Sequence, residues 1–354
     1  MQISINANRC EPSPMRKFHP LAVQAEKQGK KIYHLNIGQP DIATPPEFYK
    51  AVHGFSDKTL AYEASPGRPE LIEAIRNYYG TLGVSLEDND ILVTTGGSEA
   101  LLFTCLSILD PYTEVVIPEP YYPNYTTFVH AAGGVIRALP TNPWEGYRYA
   151  DRERIESLIT PNTRAILITN PGNPTGVVLD ETEMRMIADI AKKHNLFLIC
   201  DEVYREFCYD DKFGVPTMAR FRDIDENLVI VDSVSKRFSA CGARVGCVVT
   251  RNKELQAALL KFCQCRLSVA TVDQVGAAEL YKVDPAFFRA SKAEYKLRRD
   301  TVIRKLRAIP GVVVEEPMGA FYLMASLPVD NSDKFQHWLL EKFDDHGDTV
   351  MFAP

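Results

Sequence analysis

Short apolar runs alternate with longer amphipathic segments through the middle of the chain, and this alternation restricts the fold more than any other feature. The apolar runs occupy residues 91–95, 114–118, 134–139, 164–169, 196–200, 228–232 and 244–250. The amphipathic segments between them include residues 98–109, 181–194 and 253–265. Such alternation is typical of a parallel sheet covered by helices. The sequence therefore predicts an α/β protein whose mainly parallel, seven-stranded sheet has helices on both faces.

A different pattern follows this region. It indicates a basic amphipathic helix, two strands and a further helix, at residues 285–309, 312–315, 321–325 and 332–343. A short sheet with helices at its side is typical of a small α+β domain. The chain is therefore expected to contain a large and a small domain.

We place the domain boundaries at the changes of pattern. Residues 1–47 are expected to form an N-terminal arm and part of the small domain, residues 48–283 the large domain, and residues 284–354 the small C-terminal domain. Residues 349–352 resemble the start of another strand, which would leave a sheet edge unfinished. We therefore expect the small domain to be truncated at its C-terminus.

The composition excludes a disordered chain and a strongly basic one. The 354 residues are 45% hydrophobic and 24% charged, with 40 basic and 46 acidic residues and a net charge of −6. Proteins that bind nucleic acid or anionic membranes usually carry a basic excess, so neither partner is expected. No apolar stretch approaches the roughly 18 to 20 residues of a membrane span, and residues 1–15 lack an apolar signal core. A cytoplasmic location is the expectation.

The eight cysteines lie mostly within apolar segments. This predicts reduced, buried thiols, because a chain of this size folds without disulfides. Cys263 and Cys265 are two residues apart in a helical segment and are expected to point to different faces. No second Cys or His pair has the spacing of a zinc site, so we expect no metal.

Polar segments follow four of the predicted strands. The first is Gly96-Gly97-Ser98-Glu99, whose glycines allow close backbone approach at the start of a helix. It is either a phosphate cradle or a plain structural turn. The pattern also resembles the nucleophile elbow of a hydrolase with Ser98 as nucleophile, but the sequence shows no evident acid and histidine partners.

The next two segments add amide, carboxylate and phenol groups at the same edge of the sheet. Asn170 and Asn173 lie in a loop rich in proline and glycine, and a plain turn would not need both amides. Asp201 closes the very apolar run 196–200 and precedes Tyr204. A carboxylate there is costly unless a cation or several donors meet it, and a helix N-cap is the alternative.

The fourth segment is Ser233-Val234-Ser235-Lys236, with Arg244 eight residues beyond Lys236. Most lysines are solvated surface charges, but this one follows an apolar strand and two hydroxyls. Together the four segments supply a phosphate cradle, an acid, amide and phenol donors, an amine and a second cation. Pyridoxal phosphate needs these groups for its phosphate, ring nitrogen, phenolic oxygen and aldehyde carbon.

The sequence closely resembles the class I/II aminotransferases, the aspartate-aminotransferase-like branch of the fold-type I pyridoxal-phosphate enzymes. The resemblance extends over nearly the whole chain, from residues 35–41 to residues 318–322. It rests on motifs that follow one another in order: Tyr62 to Gly67 with Leu71, Gly96 to Ala100, Pro118 to Tyr122, Asn173 to Gly176, Asp201 to Tyr204, and Ser233 to Lys236 with Arg244.

The resemblance implies roles for individual residues. Lys236 would form the Schiff base with pyridoxal 5'-phosphate and later move the substrate α-proton. Asp201 would pair with the pyridinium nitrogen, and Asn173 and Tyr204 would bond the phenolic oxygen. The remaining implied cofactor residues are Tyr122, stacked on the ring, and, in the phosphate-binding motifs, Gly97, Ser98, Glu99, Ser233 and Arg244.

The resemblance also implies a second subunit and a closing loop. Tyr62 matches a tyrosine that reaches the phosphate of the partner subunit, which implies a homodimer. Gly38 matches the small-domain segment that closes over the substrate carboxylate and excludes water. The family's carboxylate-binding arginine would lie beyond the end of this chain, and Arg307, the last arginine, does not match its position.

The implied function is transamination from an L-amino acid to a 2-oxo acid, with aspartate as the default donor. β-Elimination of a C–S bond is the alternative, because it uses the same lysine and acid. Fold-level analogy does not supply the donor, so aromatic, branched-chain, alanine and methionine donors stay open.

Overall fold

The computed structural model describes residues 1–12 and 14–353. Its strands are β1 (Lys31–His34), β2 (Ile91–Thr94), β3 (Glu114–Glu119), β4 (Val135–Pro140), β5 (Thr163–Thr169), β6 (Phe197–Asp201), β7 (Leu228–Ser233), β8 (Gly246–Val249) and β9 (Asp348–Met351). Its α-helices are α1 (Ile5–Arg9), α2 (His19–Lys27), α3 (Pro46–Gly54), α4 (Pro69–Thr81), α5 (Gly96–Ile108), α6 (Asn124–Ala131), α7 (Arg152–Ser157), α8 (Glu181–Lys193), α9 (Val234–Arg237), α10 (Lys253–Arg266), α11 (Thr271–Leu280), α12 (Ala286–Arg307) and α13 (Ser332–Glu341).

The large sheet has seven strands in the order β2-β8-β7-β6-β5-β3-β4. All neighbouring pairs from β4 to β7 are parallel, and β8 runs antiparallel to both β2 and β7. The predicted mainly parallel, seven-stranded α/β sheet is therefore confirmed. Its central strands β6 and β7 end next to each other, so the polar residues that follow them meet at one edge.

Apolar cores lie on both faces of this sheet. Alternate residues of β5 point to opposite sides: Ile166 and Ile168 pack with side chains of α4, α8 and α11, whereas Ala165 and Leu167 pack with side chains of α5, α6 and α10. A strand that is covered on both sides must be apolar throughout, which explains the continuous apolar runs in the sequence.

Local sequence signals fix where the covering helices begin and which way they face. At the start of α8, the Asp180 carboxylate accepts from the Glu183 backbone N–H at 2.8 Å, and the Glu183 carboxylate accepts from the Asp180 N–H at 2.9 Å, a capping box. In α10, Cys263 is buried and Cys265 is exposed, so the two cysteines face different sides as predicted. Among the described residues, no helix combines the length and apolar character that crossing a membrane requires.

A second, two-stranded sheet joins the two ends of the chain. In it β1 runs parallel to β9, with Lys31 opposite Asp348 and His34 opposite Met351. A small apolar cluster formed by Phe18, Ala22, Leu340 and Met351 lies beside it. Residues near the N-terminus therefore share a core with residues near the end of the chain.

The strands predicted at 312–315 and 321–325 are wrong. In the described chain these segments form one isolated bridge, in which Val313 and Ser326 exchange two hydrogen bonds of 2.9 Å. The backbone between them bonds elsewhere: the Gly319 N–H donates to the Gly176 carbonyl at 2.9 Å, and the Ala320 N–H donates to the Phe207 carbonyl at 2.8 Å. These bonds attach the backbone between the two segments to the loops after β5 and β6 rather than to a neighbouring strand.

Candidate active site

Asp201 and Lys236 lie at the same edge of the sheet. Asp201 ends β6 opposite Val231 of β7, and Lys236 follows β7 in the short helix α9. The Lys236 amine donates to the Gly38 carbonyl at 2.7 Å and lies 6.0 Å from the centre of the Tyr204 ring. Burial lowers the pKa of Lys236, whereas the charges of Cys241 and Asp201 raise it. The acid and the amine therefore share one electrostatic environment.

The Asp201 carboxylate is buried and bonded by two donors. The Tyr125 hydroxyl donates to its Oδ2 at 2.7 Å, and the Val203 N–H donates to its Oδ1 at 3.3 Å. Burial raises the pKa of Asp201 to about 6, although the bond from Tyr125 opposes this. No helix follows Asp201 directly, so the N-cap interpretation fails. A carboxylate buried in this way favours a cationic partner.

Tyr125 was not among the residues predicted from the sequence. It lies in α6, and its hydroxyl is also 2.6 Å from the Thr169 Oγ1 at the end of β5. Its ring packs edge-on against the Tyr122 ring, with centroids 5.4 Å apart. The only available signal is that Tyr125 and Tyr122 are three residues apart, the spacing of neighbours on one helix face.

Tyr122 is influenced by the charges at both ends of the site. Its hydroxyl accepts from the Asn124 amide at 2.6 Å. Burial raises its pKa, the Asp201 charge raises it further, and the Arg244 charge lowers it. Its ring is therefore within electrostatic reach of the acid and of the arginine, as an aromatic ring stacked on a ligand between them would be.

The start of α5 and the Arg244 guanidinium are close together. A Cβ added to Gly96, whose φ is +74°, would lie 2.5 Å from the Arg244 Nη2. Arg244 itself has a φ of +52°, and its Nη1 donates to the Cys241 carbonyl at 2.9 Å. A helix N-terminus with unpaired N–H groups beside a guanidinium forms an anion site. Glycine at position 96 leaves the space that this approach needs.

Gly97 and Ser233 complete this part of the site. A Cβ on Gly97 would lie 3.9 Å from the Ser233 Cβ, so the first turn of α5 adjoins the end of β7. The Ser233 Oγ accepts from the Ser235 N–H at 3.0 Å and donates to the Val245 carbonyl at 3.0 Å. Two strand ends and a helix N-terminus thus converge on one anion-binding corner.

The Glu99 side chain has partners within the protein, and its place in the cofactor site stays a prediction. Its carboxylate accepts from the Thr95 N–H at 2.7 Å and lies 3.3 Å from the Arg266 Nε. Through these contacts the Glu99 side chain caps the N-terminus of α5, where a carboxylate in the first turn is stabilising. Its side chain is therefore occupied by the protein itself, and only its backbone N–H faces the helix start.

The hydrolase interpretation of Ser98 requires a histidine beside it. His130 bonds the Arg9 carbonyl at 2.9 Å, His194 bonds Glu156 at 3.3 Å, and His53 is exposed at the end of α3. These three histidines have other surroundings, so none of them supports Ser98 as a nucleophile.

The two asparagines of the loop after β5 have separate tasks. Asn170 is buried, and its Oδ1 accepts from the Leu179 N–H at 3.1 Å, so it holds the loop together. Asn173 lines a cavity with Tyr121 and Thr169. Because Thr169 also contacts the Tyr125 hydroxyl, Asn173 borders the site, whereas Asn170 belongs to the scaffold.

Tyr204 forms a pair with a second tyrosine that the sequence did not single out for the site. The hydroxyls of Tyr204 and Tyr322 are 2.6 Å apart, and their rings meet edge to face with centroids separated by 5.4 Å. Burial raises the pKa of both phenols well above the usual value. Tyr322 also adjoins Gly38, because a Cβ there would lie 1.7 Å from the Tyr322 hydroxyl.

The loop that carries Gly38 is anchored to α12. The Asp41 carboxylate lies 2.7 Å from the Arg298 Nη1 and accepts from the Tyr295 hydroxyl at 3.2 Å. The Gly38 carbonyl meanwhile accepts from Lys236. The loop thus bridges the large-domain site and the long helix of the C-terminal region.

A buried network of opposite charges lies directly behind the site. The Arg205 Nη2 is 2.9 Å from the Glu202 Oε2 and 3.2 Å from the Asp232 Oδ2, and Asp232 also pairs with Arg237. All four side chains are excluded from solvent. They are sequence neighbours of Asp201, Ser233 and Lys236, so the network fixes the strand ends that present those residues. Sequence reasoning missed it.

Tyr62 is not part of the site that this chain forms by itself. Its side chain is 80% exposed, and Leu60 beside it is 67% exposed. An exposed pair of large apolar side chains is more typical of a contact surface than of solvent-facing loops.

Known proteins share this arrangement over most of the chain. The family model of aminotransferase class I and II matches residues 30–344. The aspartate aminotransferase of Pyrococcus horikoshii is 32% identical over 332 residues, which cover 92% of this chain and 84% of that protein. The aspartate/prephenate aminotransferase of Thermus thermophilus is 30% identical over 333 residues, which cover 92% and 85%.

A solved structure agrees with these matches. The alanine aminotransferase from Pyrococcus furiosus has a TM-score of 0.89 and 29% sequence identity, and the match covers 96% of this chain and 88% of that one. The fold is that of the fold-type I aminotransferases, and the matched region contains the sheet, the loops at its edge and most of the C-terminal region. This chain therefore belongs to the aminotransferase class I and II family.

Proposed function

We propose that this protein is a pyridoxal-phosphate-dependent aminotransferase that moves an amino group from an L-amino acid to a 2-oxo acid. The observation that carries the proposal is the position of Asp201, Lys236 and the anion-binding corner at one sheet edge, with Tyr122 within electrostatic reach of both Asp201 and Arg244. The family match favours transamination over β-elimination, since the three relatives named above are aminotransferases.

The residues present fit this cofactor. The first N–H groups of α5 together with Ser233 and Arg244 would bind a phosphate, as a helix N-terminus beside a guanidinium does. The buried Asp201 carboxylate would hold a protonated ring nitrogen, and Asn173 and Tyr204 would donate to the phenolic oxygen. Tyr122 would lie against the ring. When bound, the cofactor supplies an electron sink for the substrate α-carbon.

Lys236 is suited to covalent attachment and to proton transfer. Burial lowers its pKa, so a larger fraction of the amine is neutral near pH 7 than in a free lysine. Only a neutral amine can attack a carbonyl carbon or accept a proton. The Gly38 carbonyl, 2.7 Å from the amine, positions it at the mouth of the site until a ligand replaces that contact.

Closure of the small domain would exclude water from the reacting atoms. We propose the boundaries 1–47, 48–283 and 284–354 for the arm, the large domain and the small domain. The shared cluster of Phe18 and Met351 supports the assignment of N-terminal residues to the small domain. The proximity of Phe48 to Gly276 of α11 supports the assignment of Phe48 to the large domain. A cytoplasmic location stays a prediction from the sequence.

We propose a homodimer in which Tyr62 completes the phosphate site of the partner subunit. Support comes from four exposed hydrophobic side chains in the arm and the loop between α3 and α4: Leu35, Ile37, Leu60 and Tyr62. Exposed apolar surface of this kind usually marks an interface. Mixing a Tyr62→Phe chain with a Lys236→Ala chain should restore part of the lost activity only if sites are shared between subunits.

The test of the function is the visible spectrum of the protein mixed with pyridoxal 5'-phosphate and then with single amino acids. We expect a yellow chromophore that bleaches with aspartate, while other donors bleach it less. Transamination leaves the pyridoxamine form, whereas elimination releases ammonia and pyruvate, so the products separate the two reactions. Lys236→Ala should abolish the chromophore shift, and Lys253→Ala, an exposed lysine of α10, serves as the matched control.

A further inference from the structure

We propose that Tyr322 is a positioning residue, whose hydroxyl donates to the Tyr204 hydroxyl and thereby directs the Tyr204 proton to the phenolic oxygen of the cofactor. The inference rests on the proposed function, since it assigns a neighbour to Tyr204 within the same site. Sequence reasoning quoted Tyr322 only as part of a motif and gave it no role.

The argument starts from the number of protons available. The two hydroxyls are 2.6 Å apart, and geometry alone allows either to be the donor. A phenol has one proton to donate and can accept as well. If Tyr204 donated to Tyr322, it would have no proton for a ligand. If Tyr322 donates, Tyr204 accepts that bond and keeps its own proton free.

A ligand with an ionised phenolic oxygen selects the second arrangement. Such an oxygen accepts hydrogen bonds and cannot donate one, so Tyr204 must be the donor to it. Accepting a bond from Tyr322 also polarises the Tyr204 hydroxyl and strengthens its own donation. Tyr322 therefore acts on the cofactor through Tyr204.

The surroundings hold Tyr322 in the position that this role requires. The preceding residue, Phe321, stacks on the Tyr295 ring with centroids 5.0 Å apart and meets the Tyr204 ring edge to face at 5.3 Å. On the other side the hydroxyl abuts Gly38, where a Cβ would lie only 1.7 Å away. Because the Tyr204 hydroxyl and Gly38 both adjoin the Tyr322 hydroxyl, little orientational freedom has to be lost when a ligand binds.

The same contact joins the parts of the chain that we assign to different domains. Tyr204 follows β6 of the large sheet, whereas Tyr322 follows Phe321, which stacks on Tyr295 of α12, and Gly38 lies in the loop that Asp41 attaches to α12. The bond between the phenols exists only when these segments lie against the large sheet. Its formation therefore couples closure of the site to the proton on Tyr204.

The experiment is a pH titration of the visible absorption of the protein loaded with pyridoxal 5'-phosphate. The variants are Tyr322→Phe, Tyr204→Phe and the double variant. Tyr322→Phe keeps the ring and removes one hydroxyl. Without that support the phenolic oxygen of the chromophore is less stabilised, so the chromophore should keep its proton to higher pH, by about 0.5 to 1 unit. Around the phenols, the titratable groups Asp201, Lys236, Cys241, Tyr122 and Tyr125 are unchanged in this variant.

The double variant and a control separate positioning from packing. Since Tyr322 acts through Tyr204, the double variant should shift the midpoint no further than Tyr204→Phe alone. Tyr209→Phe removes a buried hydroxyl that donates to the Ala320 carbonyl of the same segment. Tyr209→Phe should lower the melting temperature of the protein and leave the midpoint of the pH titration unchanged.

Three outcomes overturn the inference in different ways. A wild-type protein that gives no chromophore with pyridoxal 5'-phosphate overturns the proposed function, and the inference falls with it. A normal chromophore whose midpoint is moved by Tyr204→Phe but not by Tyr322→Phe overturns the inference alone. A Tyr322→Phe shift that adds fully to that of Tyr204→Phe also contradicts it, because Tyr322 would then act independently of Tyr204.

Discussion

The Tyr125 hydroxyl donates a 2.7 Å hydrogen bond to the buried carboxylate of Asp201. The bond stabilises the ionised carboxylate against the burial that raises its pKa to about 6. A carboxylate that must hold a cationic ring nitrogen near neutral pH has to remain ionised there. Tyr125 therefore supports the charge on which cofactor binding depends.

Removal of the Tyr125 hydroxyl should weaken cofactor binding at mildly acidic pH. In Tyr125→Phe the pKa of Asp201 should rise by about one unit, because one hydrogen bond to a charged group is lost. The affinity for pyridoxal 5'-phosphate, measured across pH by fluorescence quenching, should then fall off at correspondingly higher pH. Tyr121→Phe is the control, since its hydroxyl has only a 3.5 Å contact with Thr126. If the affinity for the cofactor fell off at the same acidic pH in the wild type and in Tyr125→Phe, the prediction would be wrong.

The raised pKa of Asp201 also predicts how the stability of the apoprotein depends on pH. The folded protein binds this proton with a pKa of about 6, against a usual value of 3.8. Between pH 4 and pH 6 the folded state therefore holds more protons than the unfolded chain, and stability falls as the pH rises. Once both states are ionised, the cost is about 3 kcal/mol.

Asp201→Asn tests this prediction, because it keeps the shape and removes the charge. The variant apoprotein should be up to about 3 kcal/mol more stable than the wild type above pH 6, and the difference should vanish near pH 4. Urea unfolding across this range provides the measurement. Asp223 provides the control, because Arg185 and Lys192 lower its pKa to about 2. Its contribution to stability should therefore change with pH in the opposite direction. A wild type that is the more stable protein at pH 7 would refute the account.

Gly38→Ala should damage the site by sterics alone. The added Cβ would lie 1.7 Å from the Tyr322 hydroxyl, so either the loop or the tyrosine must move. A displacement at the reacting centre should lower kcat/KM about tenfold or more. Gly54→Ala has nothing within 4 Å of its new Cβ and should leave steady-state kinetics unchanged. Equal rates for the two variants would show that the loop is not close to Tyr322 in the working enzyme.

The buried charge network should contribute to stability through Asp232. Asp232→Asn leaves the guanidinium groups of Arg205 and Arg237 without their shared carboxylate in a site that excludes water. Loss of one member of a buried ion pair costs ~3–5 kcal/mol, which urea unfolding of the apoprotein can detect. Lys192→Met breaks an exposed pair with Asp223 and should cost less than about 1 kcal/mol. A similar small loss in both variants would contradict the assignment.

The parts of the structure that depend on local sequence could be predicted. The strands of the large sheet follow from continuous apolar runs, because a strand covered on both faces has no polar side. Asp201, Ser233 and Lys236 were found for a related reason, since each follows such a run. Parallel topology then brings the carboxyl ends of β6 and β7 together.

The parts of the structure that depend on tertiary contacts could not be predicted from the sequence. Tyr125 reaches Asp201 across 76 residues and Tyr322 reaches Tyr204 across 118 residues, and no short pattern records such pairs. Glu99 matched a motif, but the position of Arg266 gave its side chain another partner. The strands predicted at 312–315 and 321–325 failed, and the backbone between them, at Gly319 and Ala320, bonds the loops at Gly176 and Phe207 instead of a neighbouring strand.

The most direct test of the central claim is chemical trapping at Lys236. The protein loaded with pyridoxal 5'-phosphate is reduced with borohydride and digested, and the modified peptide is identified by mass spectrometry. We expect the phosphopyridoxyl group on Lys236. When Asp201→Asn or excess free amine has weakened the complex, we expect no phosphopyridoxyl group on the protein. A label on another lysine, or no label on a protein that binds the cofactor, would contradict the assignment of this site.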